Sequence, residues 1–340
     1  MGSRKVFSAI ISSAIIGLMA AGGAHAVTII PQSSLIPSTT YYTDTIGGGI
    51  GDVVVTTGGG SAPNVGDPTG RNDDGFSGPK NLGFTINFFG TNQTQYWVNN
   101  NGNISFNNGI SAFTPSGPTG ASQPLISPFF ADVDTRSALS GVVHLRTNIA
   151  NEIIVTWDQV GYFDSHGDKL NSFQLVLRGP GFAIPAGEGQ IGFFYKGMQW
   201  ETGDASGGSG GFGGTPGAVG FGDGAGNGEV LQGSTANGIA ASVANHHIWF
   251  DVVGGVPIVT PPTNGGGGGG STVPEPASLI LLGSGLVSLA ACSQPLDDRN
   301  VTKLFIFLCA ASRPDFLQIW AEVSSAFDGE PPSDVLASID

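Results

Sequence analysis

Cysteine is missing from the first 291 residues, and the chain's two, Cys292 and Cys309, sit near its end. The body must therefore fold without disulfides, so its stability has to come from buried apolar surface. Basic residues are scarce as well: 12 Lys and Arg stand against 26 Asp and Glu, a net charge of −14. That balance argues against nucleic acid as a partner, because neutralising phosphates takes clustered cations. Charged residues make up only 11% of the chain, while 40% are hydrophobic, enough apolar material to exclude global disorder. No H-E-x-x-H, phosphate-loop or dinucleotide motif occurs. From Tyr41 to Val253 no stretch keeps a 3.6-residue period.

What the chain has in abundance is glycine, 56 residues, together with 21 prolines. The apolar residues alternate instead of following a helical period. Phe84, Ile86 and Phe88 form one set, and Ile153, Val155 and Trp157 a second. Phe173, Leu175 and Leu177, then Ile191, Phe193 and Tyr195, then Ile248, Phe250 and Val252 repeat the pattern. Side chains on a strand point to alternate faces, so each set lines one side of a sheet. Asn101-Gly102 separates two such runs and marks a tight hairpin. The expected fold is all-β, an antiparallel sandwich or barrel-like domain. Its Gly-rich residues 202–228 read as a long surface loop.

The two ends read as addresses. Arg4 and Lys5 precede an apolar run from Ile10 to Met19, and Ala24-His25-Ala26 places small residues at the positions a signal peptidase inspects. The predicted organisation is a signal peptide at 1–26, cleaved after Ala26, then a β/loop lead-in at 27–81 and the main domain at 82–253. A Pro/Gly linker follows at 254–272, an apolar segment at 273–291, and a tail of different composition at 292–340.

Several polar groups are candidates for chemistry. In "PFFADVDTR", residues 128–136, an extended backbone would put Asp132 and Asp134 on one side. Carboxylates that close need a cation, an arginine or backbone amides between them. Arg136 shares their parity, so structural ion pairing is the leading reading. Calcium is the next, with Asp132, Asp134, Asp164 and Asp168 as candidate ligands. Catalysis comes last, because a pair of glycosidase carboxyls must flank the scissile bond. "FDSHGD", residues 163–168, reads first as a polar hairpin loop and only second as a metal or acid–base site. Ser209, in "GGSGG", lacks the following helix that a nucleophile elbow requires. His246 and His247 are adjacent, so on a strand they face opposite ways and cannot chelate one ion. No catalytic residue and no cofactor is assigned.

The blocks "VNNNGNISF", "PLISPFFADVDTR", "EIIVTWDQVGYF", "NSFQLVL", "IGFFYKGMQW" and "GAVGFGDG" occur in that order between Leu82 and Val253. Together they resemble the nidogen-like extracellular domain, NIDO. The resemblance implies a non-enzymatic adhesion module of matrix proteins and supplies no catalytic residues.

"VPEPASLILLGSGLVSLAA", residues 273–291, resembles a PEP-CTERM sorting signal, with its triplet at Pro274, Glu275 and Pro276. This implies a Gram-negative, exopolysaccharide-producing host, transient anchoring in the inner membrane and removal by an exosortase. The segment is shorter than the roughly 20 apolar residues that span a bilayer comfortably. The basic end usual in such signals is missing; Cys292 to Asp298 stand in its place. Either a frameshift replaced that end or residues 292–340 form a genuine extension.

The combined expectation is an exported surface module for cell–matrix adhesion or association with an exopolysaccharide matrix, in the periplasm, on the outer surface or in the matrix. Exosortase and signal peptidase act on it during export. A calcium-dependent carbohydrate-binding protein and a secreted polysaccharide hydrolase are the alternatives.

Overall fold

The computed structural model describes residues 27–54, 56 and 69–261. The expected signal peptide, sorting signal and tail lie outside those residues. In chain order the strands are β1 (Val27–Ile30), β2 (Ile36–Pro37), β3 (Asp52–Val53), β4 (Lys80–Phe88), β5 (Thr91–Asn99) and β6 (Asn103–Ser105). Then come β7 (Pro124–Phe130), β8 (Val143–Ile149), β9 (Glu152–Tyr162), β10 (His166–Arg178) and β11 (Ile191–Met198). The last are β12 (Gly208–Ser209), β13 (Phe212–Gly213), β14 (Ala218–Asp223), β15 (Gly228–Leu231), β16 (His246–Val253) and β17 (Val256–Val259). Two five-residue helices, α1 (Tyr42–Ile46) and α2 (Ile239–Val243), complete the secondary structure together with short 3-10 turns. Among the described residues no helix is long and apolar enough to cross a membrane.

The strands form two large sheets. One runs β1-β15-β14-β7-β6-β5-β4, and the other β17-β16-β11-β10-β9-β8-β3, with β2 added beside β16. All of these pairings are antiparallel except β1 with β15, and neither sheet closes into a barrel. The alternating sets meet between the sheets. Phe193 of β11 stacks on Phe221 of β14 at 5.2 Å between ring centroids, and Phe129 of β7 meets Phe173 of β10 at 5.7 Å. Each fully buried apolar side chain contributes about 1.5–3 kcal/mol, and this core replaces the missing disulfides.

The second face of β9 and β10 is covered too. Ile154 and Val176 pack under Tyr41, Tyr42, Phe194 and Trp249. This explains why the residues between Ile153, Val155 and Trp157 are not all polar.

The structure corrects the Gly-rich loop. Residues 218–223 form β14, an interior strand with Val219 and Phe221 in the core. Its glycines are there for close approach: a Cβ on Gly222 would lie 1.6 Å from the Pro118 carbonyl oxygen, and one on Gly220 2.2 Å from that of Glu229. The sheets also extend past both expected boundaries, because residues 27–81 supply β1 to β3 and part of β4, and β17 lies beyond Val253.

Candidate functional site

The β5–β6 hairpin turns through Asn100, Asn101 and Gly102, with Asn99 opposite Asn103. Gly102 has φ +78°, and a Cβ there would sit 1.8 Å from the Phe129 carbonyl oxygen, so only glycine fits. The turn is buried, and its amides act as internal fasteners. Asn101 donates through Nδ2 to Asp74 Oδ1 at 2.8 Å and accepts from the Val133 N–H at 2.9 Å. Asn100 donates to the Val133 carbonyl oxygen, and its own carbonyl accepts from the Trp157 indole at 3.0 Å. The turn thereby holds residues 131–135, just past β7, against the segment Asn72–Phe76. Isolated bridges join Asp73 to Asp134 and Val133 to Tyr162.

Five carboxylates gather here around one arginine. Arg136 reaches Asp134 at 2.5 Å, Asp73 at 3.1 Å and Asp164 at 3.4 Å. Asp134 also accepts the backbone N–H groups of Arg136 and Ser165. It is buried and fully engaged, which is the ion pairing read from the sequence.

Asp132 has different company. One oxygen each from Asp73, Asp74 and Asp132 lie within 4.8 Å of one another, and all three residues are buried. Both oxygens of Asp132 and Oδ1 of Asp73 receive no hydrogen bond, and neither do the side-chain oxygens of neighbouring Asn72 and Asn100. Such orphaned acceptors are costly in an interior. Burial, followed by repulsion from Asp74, Asp73 and Asp134, pushes the Asp132 carboxyl up to about 8; the nearby Ser206 hydroxyl offsets only part of this. Burial and then Asp134 push Asp73 up to about 7, and Asp74 is raised mainly by burial. On the far side the backbone of Gly203 closes on Asp132, where a Cβ would lie 2.4 Å from Oδ2.

The site thus brings three buried carboxylates together. At 1% exposure Asp132 also has no open cleft in which to meet a polymer.

The other candidate residues lie apart from this point. Asp164 is an exposed loop residue that contacts Arg136 at 3.4 Å. Asp168 accepts from the Tyr162 hydroxyl at 3.0 Å and from Lys169 at 2.7 Å. His166 contacts Asp204 at 3.1 Å, so the 163–168 loop does not assemble a site of its own. His246 and His247 are half-buried strand residues, and His247 stacks on Phe194. Ser209 lies in the two-residue strand β12, with no helix after it. Of the four candidate calcium ligands, only Asp132 belongs to the convergent trio. Asp73 and Asp74 were overlooked; the doubled acid in "RNDDGF" was their one local signal.

Alpha-tectorin from Mus musculus is 32% identical over 169 residues, covering 41% of this chain and 7% of that protein, and the Homo sapiens protein matches equally. Nidogen from Drosophila melanogaster is 30% identical over 117 residues, 27% of this chain and 9% of nidogen. The chain therefore spans less than a tenth of these relatives. No solved structure matches it. A PEP-CTERM protein-sorting motif matches residues 272–293. The NIDO-related family model matches residues 54–251, more than half of the 340 residues, and the chain belongs to that family.

Proposed function

We propose that the chain is an exported, non-enzymatic surface module that works by binding, in cell–matrix adhesion or in association with an exopolysaccharide matrix. The observation that carries this reading is the conjunction of a NIDO-related domain at 54–251 with a sorting motif at 272–293 on one polypeptide. The first is the kind of module found in alpha-tectorin and nidogen. The second supports handling by an exosortase, after a signal peptidase has cut following Ala26.

The sandwich suits such work, because a cysteine-free core is indifferent to the redox state of its compartment. A hydrolase reading loses support from the burial of its carboxylates. Sugar stacking would need exposed aromatic faces: Trp157, Trp200 and Trp249 are core residues, while Trp97 is half-buried and Phe212 exposed.

The test is fractionation of a Gram-negative bacterium that carries an exosortase and expresses the chain with an internal epitope tag. Wild-type protein is expected in the surface or matrix fraction, shortened at both ends. Replacing Pro274, Glu275 and Pro276 by alanine should leave a longer species in the inner membrane. Wild-type protein found in the cytosol with residues 1–26 attached would overturn the reading.

A further inference from the structure

We propose that Asp73, Asp74 and Asp132 ligate a calcium ion that pins the Asn72–Phe76 segment to the end of β7. The inference is independent of the matrix reading, since it concerns an internal site whatever the outer surface binds.

Charge is the first argument. Three carboxylates, those of Asp73, Asp134 and Asp164, ion-pair with Arg136, and Asp74 and Asp132 add two more acidic groups beside Asp73. Arg136 is committed to Asp134, Asp73 and Asp164, which leaves Asp132 without a cationic partner.

The orphaned atoms are the second and separate argument. Asp132 is 1% exposed, both its oxygens go without a donor, and they converge with oxygens of Asp73 and Asp74. An interior carboxylate with no donor and two acidic neighbours is an arrangement that a bound cation stabilises.

Ligand type and spacing select the ion. The donors are all oxygen, with neither sulfur nor imidazole, which favours a hard cation over zinc. Calcium–oxygen distances are about 2.3–2.6 Å, so ligands around one ion lie up to about 5 Å apart. The three carboxylate oxygens lie within 4.8 Å of one another, inside that range. Magnesium demands stricter octahedral geometry at shorter distances of about 2.0–2.1 Å, so calcium is the better fit.

The ligands come from two distant parts of the chain, 73–74 and 132. The ion would therefore tie the approach to β4 onto the β7 end, adding to the Asp73–Asp134 bridge and the Asn101 hydrogen bonds.

The full chain, stripped with EGTA, should be titrated with calcium chloride by calorimetry and thermal unfolding. One saturable site is expected, with a Kd no weaker than about 1 mM, the range of extracellular modules. Tm should rise by about 5–10 °C at calcium 100-fold above Kd. Asp132→Asn should abolish both signals while far-ultraviolet circular dichroism stays native. Asp74→Asn, at the most exposed of the three ligands, provides the same reading should Asp132→Asn fail to fold. Asp164→Asn should leave binding within twofold of wild type. Three results would overturn the proposal: no heat or Tm shift at about 10 mM calcium, an equal response to magnesium, or binding undiminished in folded Asp132→Asn or Asp74→Asn.

Discussion

Asn101 donates to Asp74 at 2.8 Å while its side-chain oxygen accepts from the Val133 N–H at 2.9 Å. One buried amide thus joins three chain segments that are far apart in sequence. The same Nδ2 also donates to the Ala112 carbonyl oxygen at 3.0 Å.

Replacing Asn101 by alanine removes these bonds, leaving Asp74 Oδ1 without this donor and the Val133 N–H with only the Ala131 carbonyl oxygen. The expected loss is about 1–3 kcal/mol in urea unfolding, chiefly from the buried Asp74 carboxylate losing its donor. Asn103→Ala, which gives up mainly side-chain bonds to Asn99 and the Asn101 carbonyl, should cost less.

Gly102→Ala should destabilise far more than an ordinary glycine substitution. Positive φ and a Cβ 1.8 Å from the Phe129 carbonyl oxygen force the hairpin to shift. Gly83→Ala, at the same φ of +78° but with nothing within 4 Å, isolates the conformational part at about 1 kcal/mol. The difference between the two midpoints in urea measures the steric part.

Glu229, on β15 opposite Thr28 of β1, has its carboxyl pushed by burial from 4.5 up to about 7, against a smaller lowering by the Thr28 hydroxyl. Below pH 4.5 both folded and unfolded chains hold this proton. Between 4.5 and 7 the unfolded chain releases it first, so this group's contribution to stability falls as pH rises and levels off above 7. Glu229→Gln should remove that slope and gain about 1–2 kcal/mol at pH 7.5, after allowance for solvent relaxation around the carboxylate. Urea midpoints of both proteins across pH 4–8 check it.

Arg178 and Glu152 pair across β10 and β9 at 2.9 Å with both side chains fully buried, and the guanidinium lies over the Trp249 and Tyr42 rings. Arg178→Ala should cost about 3–5 kcal/mol, because it strands a buried carboxylate. Adding Glu152→Gln in that background should recover part of the loss, a coupling visible in a double-mutant cycle.

The fold was legible where burial follows period two. Phe173, Leu175 and Leu177 announce β10, and they all reach the core. Strand β14 was hidden because its glycines answer to neighbours far along the chain, the Pro118 and Glu229 carbonyls, and locally they read as loop. The site was half legible for a similar reason. "ADVDTR" showed two acids and an arginine, and the Asp134–Arg136 pair followed from spacing. What sets Asp132 apart is its meeting with Asp73 and Asp74, which the Asp73–Asp134 bridge creates and no local pattern encodes. The asparagines of "VNNNGNISF" likewise looked like turn residues, while their buried amides organise the acids.

Strand β1 lies parallel against β15, with Val27 beside Gly228. A sheet whose first strand waits for a partner near the far end of the domain cannot be completed on a partly emerged polypeptide. Nearly the whole domain must clear its point of exit before that edge closes.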